Sequence, residues 1–344
     1  MTRHGELIAV GQDLTLGYRH RRGPVEIVKH LDIGIRAGQM VCLLGPNGAG
    51  KSTLLRSLAG IVPVLSGRLA VGGLDPFRMR PGELARTMAL VFNERPANGG
   101  IRVEELVSLG RLPHTGAFGR LEAKDLRAVD AALEATSATG LRQRSYSELS
   151  DGERARVQVA RALAQDAPFL LMDEPTAHLD WPHRIALMRL LLALAREHGK
   201  AVLLSTHEID LALQMADQWI LLAPDCPPVC AAPEEIALRG AFDKAFPDAG
   251  FRLDPQHGQI RLDRRPFRAL RLSGSGDACA WTARALERMG WRIDEAEGPL
   301  VEVLASGQDA LWRIGEHDFD RLDALLHALA RHRTEAAEPA QAKA

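Results

Sequence analysis

Two rhythms of hydrophobic positions alternate along the first two thirds of the chain. Met40–Leu44, Ala89–Phe92, Phe169–Met172 and Ala201–Ser205 are short, nearly unbroken apolar runs, the signature of strands buried on both faces. Between and after them, Leu54–Ala59, Val103–Leu109, Asp125–Thr136, Glu153–Ala164, Pro182–Glu197 and Ile209–Ala216 carry helical patterns. Strands alternating with helices predict an α/β fold, a largely parallel sheet wrapped by helices. Near the start, Leu14–Tyr18 and Glu26–Lys29 predict antiparallel strands around the basic turn Arg19–Pro24, whose charges cost little at a solvated tip.

The pattern breaks at Pro224-Asp225-Cys226-Pro227-Pro228, just after Trp219–Ala223. Val229–Phe246 still reads as part of the first domain, a short strand followed by helical turns. From about Phe251 a second unit is expected. Phe267–Leu272 and Leu300–Leu304 are strand-like, Ala278, Trp281, Ala285 and Met289 share one helical face, and so do Phe319, Leu322, Leu325, Leu326 and Leu329. The order strand, helix, strand, strand, helix predicts a small α+β domain. Residues 334–344, rich in Ala, Glu and Pro, are expected to be disordered. The division is therefore 6–247, 260–333 and a tail at 334–344.

Composition narrows the class. A chain of 344 residues suits one large α/β domain plus a smaller one, and 46% hydrophobic with 25% charged residues is ordinary for a globular protein. The net charge of −1 points to no nucleic-acid partner. Four cysteines imply no disulfide framework and suit a reducing compartment. Cys226 and Cys230 lack the further ligands that a structural zinc needs. The amino terminus has no signal-peptide core, and no apolar run reaches the roughly 18 residues of a spanning helix, so the chain is expected not to cross a membrane itself.

Candidate chemistry begins at Gly45-Pro46-Asn47-Gly48-Ala49-Gly50-Lys51-Ser52-Thr53, which follows an apolar strand and opens a helix. In that setting backbone N–H groups cradle phosphate oxygens and the helix dipole favours the anion. Lys51 can reach the β- and γ-phosphates, and the Ser52 hydroxyl can ligate Mg²⁺. Phe169–Met172 delivers Asp173 and Glu174 to the carboxyl end of a strand, where open α/β sheets bind ligands. Asp173 can hold Mg²⁺, and Glu174 can polarise an attacking water. Leu149-Ser150-Asp151-Gly152-Glu153 opens a helix shortly before that strand, and Ser205-Thr206-His207 ends the next one.

Taken in order, these motifs resemble those of the ATPase subunit of an ABC transporter, over roughly Leu7–Phe246. The resemblance implies a P-loop cassette with antiparallel and helical subdomains, using ATP and Mg²⁺. It implies that Tyr18 stacks on adenine, that His207 contacts the γ-phosphate, and that Ser150 and the Gly152 amide serve ATP held by a second copy. Asp180, in Ala177-His178-Leu179-Asp180, is implied to communicate across that homodimer. A glutamine is usual after Ala89–Phe92; Asn93 takes its place as a Mg²⁺ contact, with the Glu94 carboxylate as the alternative. Asp151 and Glu153 also depart from the family pattern, a glycine and a glutamine respectively. Since acidic groups repel a triphosphate, both side chains are expected to point away from the ATP.

Val103–His114 and Ile209–Asp217 resemble the matching regions of importers for iron-siderophores, haem and cobalamin, with an importer of another substrate as the alternative. The partners implied are integral-membrane permease subunits and, indirectly, a periplasmic substrate-binding protein. The place implied is the cytoplasmic face of a bacterial inner membrane. Leu106 and Leu109 are expected in the core. A soluble ABC ATPase of translation or DNA repair is the rival class, but it usually carries two cassettes or a long coiled coil, and no such heptad run is present. A small-molecule kinase has no use for Leu149–Glu153. Gly274-Ser275-Gly276 reads as a plain turn, and the second domain, by analogy alone, as a regulator or stabiliser of the pair.

Overall fold

The computed structural model describes residues 5–335, save 22, 93–99, 117–118, 178, 248–249, 256–257, 264–267 and 307–308. Asn93, Glu94 and His178 thus lie outside the described residues, as does the tail beyond 335. The chain divides into two compact units, Met1–Arg261 and Leu262–Ala344.

In the first unit β1 (Leu7–His20) and β2 (Gly23–Arg36) form a long hairpin, far longer than the runs that announce it. Then follow β3 (Met40–Leu44), α1 (Lys51–Leu58), β4 (Ser66–Val71), α2 (Pro81–Thr87), β5 (Met88–Val91), α3 (Val103–Ser108), α4 (Ala123–Ala135), α5 (Asp151–Ala164) and β6 (Phe169–Asp173). The unit continues through α6 (Trp181–Arg196), β7 (Ala201–Ser205), α7 (Ile209–Met215), β8 (Gln218–Leu221), β9 (Val229–Ala231), α8 (Pro233–Leu238), α9 (Ala241–Ala245), β10 (Phe251–Asp254) and β11 (Gln259–Leu262).

The main sheet has the order β5-β6-β7-β3-β8-β9, parallel except for the antiparallel pair β8–β9. Its central strands are buried on both faces, which is why they read as continuous apolar runs rather than as alternations. One face packs on α6 and α7 through Met40, Met172, Met188, Leu191 and Trp219. The other packs on α1 and on the three-stranded antiparallel sheet β2-β1-β4 through Leu14, Ile35, Leu43, Leu54 and Leu171. A separate core of Val103, Leu106, Val107, Val129, Leu133, Val157 and Ala160 ties α3, α4 and α5 into a helical subdomain.

Two expectations need correction here. Leu106 is buried, but Leu109 is 45% exposed. The chain leaves α3 for a 3₁₀ turn over Leu109–His114, and the tighter winding swings Leu109 off the covered face. Phe251 belongs to the first unit: its ring packs 5.8 Å from Phe246 and 6.2 Å from Phe242, in the same apolar cluster as Trp219.

The second unit runs β12 (Arg268–Ser273), α10 (Gly276–Arg288), β13 (Trp291–Ile293), β14 (Leu300–Ser306), β15 (Asp309–Ile314), β16 (His317–Phe319) and α11 (Leu322–Glu335). Its sheet order is β13-β12-β14-β15-β16, with β13 and β14 parallel to β12 and the rest antiparallel. Two further strands therefore extend the expected order, and α11 carries the helix through Thr334 and Glu335. Leu270, Leu286, Trp291, Val301, Leu325 and Leu329 form the core. Trp281 is 62% exposed rather than core, its ring covered by the Arg284 guanidinium at 5.1 Å; buried Thr282 takes the inward position and accepts a 2.7 Å bond from Trp312 Nε1. Gly274 serves packing: a Cβ there would lie 2.7 Å from the Val303 carbonyl oxygen. No helix among the described residues is long and apolar enough to cross a membrane.

Candidate functional site

The glycine-rich loop leaves the carboxyl end of β3, at the middle of the main sheet, and runs into the first turn of α1. The three backbone N–H groups opening that helix have no partner within it, which makes the turn an anion cradle. Gly45 sits at φ 147°, and a Cβ would meet the Leu222 carbonyl oxygen at 2.1 Å, so no other residue fits. Lys51 folds back on the loop: its Nζ donates to the carbonyls of Gly45 (2.8 Å) and Pro46 (3.1 Å). Burial pushes the ammonium pKa down, and the carboxylates of Glu174 and Asp173 oppose that shift. Asn47, Gly48 and the Ser52 side chain are exposed, while Ala49, Gly50 and Thr53 are buried. Tyr18, at the end of β1, reaches this loop; its hydroxyl lies 3.3 Å from Thr53 Oγ1, and the ring stays 40% exposed.

Parallel pairing of β6 with β7 places Asp173 opposite Ser205. The fully buried Ser205 hydroxyl donates to Asp173 Oδ1 (2.6 Å) and accepts from the Glu174 amide (2.9 Å). Glu174 is held at φ 50°, a conformation costing a non-glycine residue about 1–3 kcal/mol. Its Oε1 lies 2.9 Å from His207 Nε2, beyond the end of β7. Glu174 and His207 are thus brought together, as strand-end positions predict. The Ser205 clamp was not assigned from sequence; the register of two adjacent strands is what reveals it. A hydroxyl at Ser52 and a carboxylate at Asp173 are hard oxygen donors of the type Mg²⁺ takes.

The Ser150 turn caps α5. Ser150 Oγ accepts from the Glu153 amide (3.3 Å) and donates to Glu153 Oε2 (3.0 Å), which also accepts from the Ser150 amide (2.8 Å). Glu153 Oε1 is paired with Arg144 at 3.0 Å. The Ser150 amide bond foremost, then the Ser150 hydroxyl and Arg144, hold the Glu153 carboxyl below the usual range despite partial burial. The Glu153 carboxylate turns onto the serine, drawn by the orphan donors of the helix start. Asp151 lies aside, paired with Arg154 at 3.1 Å.

Asp180 caps α6, accepting from the His183 amide at 3.3 Å and pairing with His183 Nδ1, whose bond to it lowers the Asp180 carboxyl. The His183 ring also borders Gly152: a Cβ on Gly152 would lie 3.9 Å from His183 Cγ and 3.7 Å from Leu179 Cδ2. One histidine thus bonds Asp180 and stands near the Ser150 turn of the same chain. Nothing in the spacing signals this, since the two motifs lie on different helices. Among the described residues no His, Cys, Asp and Glu cluster forms a metal cage.

Residues 28–177 match the ABC transporter family, and residues 268–330 match the iron ABC transporter C-terminal domain. An achromobactin transport ATP-binding protein of Dickeya dadantii is 37% identical over 71% of this chain and 87% of that protein. A cobalamin import ATP-binding protein of Halobacterium salinarum is 34% identical over 80% of this chain and 70% of that protein. Among solved structures, the dimeric structure of a bacterial ABC transporter cassette is 26% identical over 62% of this chain and 94% of that one, with a TM-score of 0.55. With phosphate loop, paired strand-end carboxylates, capped serine turn and these matches in agreement, the chain belongs to the ATP-hydrolysing cassettes of ABC transporters.

Proposed function

We propose that this ATPase powers import of an iron complex, siderophore or haem, or of cobalamin. It works at the cytoplasmic face of a bacterial inner membrane, on a permease fed by a periplasmic substrate-binding protein. The carrying observation is the second unit: the iron ABC transporter C-terminal domain matches 268–330, beside a cassette that resembles siderophore and cobalamin transport ATPases. In this reading the first unit, through Arg261, is the cassette, and the second, from Leu262, regulates or stabilises the pair.

Two copies sandwich two ATP molecules. Gly45, Pro46, Asn47, Gly48, Ala49, Gly50, Lys51, Ser52 and Thr53 hold the phosphates, and Tyr18 stacks on adenine. Mg²⁺ fits Ser52 and Asp173, with Asn93 as the further contact expected from sequence; bound there, it neutralises charge on the β- and γ-phosphates. Glu174, fixed by the Ser205 clamp and by His207, orients water for in-line attack on the γ-phosphorus. Lys51 and His207 stabilise the charge that develops on the phosphoryl oxygens. Ser150, Gly152 and Asp180 act on the ATP of the other copy.

The test is complementation. Cells lacking the chain should lose uptake of a ferric siderophore, haem or cobalamin, regained with the wild-type chain and not with Glu174→Gln. Unchanged uptake of all three overturns the cargo assignment. Purified Glu174→Gln should bind ATP, accumulate as dimer and barely hydrolyse; turnover at the wild-type rate refutes the role of Glu174.

A further inference from the structure

The hydroxyl of Ser150 has one hydrogen, and that hydrogen is already committed. It points to Glu153 Oε2 at 3.0 Å, an oxygen that also takes the Ser150 amide at 2.8 Å. A γ-phosphate oxygen only accepts, so Ser150 can bind it only by donating the same hydrogen. The other oxygen of the same carboxylate takes the Arg144 guanidinium at 3.0 Å, and Arg144 also donates to the Glu148 carbonyl at 3.0 Å. One carboxylate thus bridges the serine hydroxyl, the amide at the start of a 14-residue helix and a cation. Carboxylate and phosphate offer acceptor oxygens at similar spans, and a guanidinium fork takes either.

We propose that Glu153 is a built-in competitor for the γ-phosphate: in the open chain its carboxylate occupies the donors that ATP on the partner copy takes on closure, and Arg144 then passes to the phosphate. This rests on the reading of Ser150 as a contact across the dimer. Glu153 acts as a restraint on closure, and Arg144 is a further residue of the shared site. A helix cap alone explains the Ser150 amide bond; it does not explain why the hydroxyl hydrogen and a neighbouring arginine converge on the same carboxylate. Glutamine at 153 keeps an acceptor for the amide and removes the charge that attracts both other donors.

The experiment measures ATP-dependent dimerisation of the full chain in the Glu174→Gln background, by sedimentation against ATP concentration. Adding Glu153→Gln should lower the ATP concentration for half-dimerisation about two- to fivefold, the scale of a partly exposed charged contact. Adding Arg144→Gln should raise it by about as much, while affinity of the isolated monomer for ADP stays unchanged. A midpoint unmoved by both substitutions means that the pair is a helix cap only and overturns the proposal. If the Glu174→Gln parent itself forms no ATP-dependent dimer, the shared-site reading falls and this inference with it. Thermal melting of each variant separates a shifted midpoint from lost folding.

Discussion

Replacing Ser205 by alanine removes one oxygen atom and two hydrogen bonds at the strand ends that carry Asp173 and Glu174. The bond donated to Asp173 Oδ1, at 2.6 Å, is charge-assisted, a class worth about 1.5–3 kcal/mol. The Glu174 amide, which donates to the Ser205 hydroxyl oxygen at 2.9 Å, loses its partner in a half-buried place, costing about 1 kcal/mol more. Alanine fits the vacated space, so no overpacking enters, and the expected destabilisation is about 2.5–4 kcal/mol in urea titration. The same bonds hold Glu174 at φ 50° and aim Asp173, so part of that energy is orientation of the site. If half of it is lost in the transition state, kcat for phosphate release falls about eight- to thirtyfold at saturating Mg-ATP. Ser205→Thr keeps the hydroxyl on a residue suited to a strand and should stay within about threefold of wild type. A Ser205→Ala enzyme with kcat within twofold of wild type, as stable as Ser205→Thr, would refute the clamp.

Gly152→Ala separates folding from closure. Its methyl meets only ordinary contacts, at 3.7 Å and 3.9 Å, and lies in a helix that prefers alanine by about 1 kcal/mol, so stability should hold or rise while ATP-driven dimerisation is lost; dimer formed at the wild-type ATP concentration would place the partner's phosphate elsewhere. The helical subdomain should be acid-sensitive through Asp125. This buried carboxylate is held below the ordinary range by the Glu122 amide first and by Arg111 next, against the opposing effect of burial. A depressed folded pKa contributes stability that is whole above the unfolded value, about 3.9, and is lost as pH falls through the lower folded value. The melting temperature of the wild-type chain should therefore drop below about pH 4 more steeply than that of an Arg111→Met/Asp125→Leu double variant, and parallel curves would deny Asp125 that part.

Most of the cassette could be read from residue order. Strands buried on both faces announce themselves as apolar runs, and β3 and β7 were expected at their observed ends because nothing but packing selects those residues. The positions of the glycine-rich loop, Asp173, Glu174 and His207 at or just beyond strand ends were legible, because periodicity identifies where strands end. Leu109 and Phe251 were misplaced, and Trp281 shares its helical face without being covered. Periodicity shows which residues can share a face and a broken pattern suggests a boundary, while burial depends on what stands opposite: a 3₁₀ turn moved Leu109, Thr282 holds the inward position beside Trp281, and the aromatic cluster around Phe242 claimed Phe251.

The sequence by itself determined the class of chemistry, because cradling phosphate and delivering carboxylates need particular residues at fixed local spacing, within reach of backbone geometry. Only the tertiary structure decided how those residues are restrained. The Ser205 clamp depends on strand register, the Arg144–Glu153–Ser150 bridge on a loop folding back over a helix start, and the nearness of His183 to Gly152 on two helices meeting. Each joins residues whose separation along the chain carries no period, so the information exists only once the hydrophobic cores have brought the elements together.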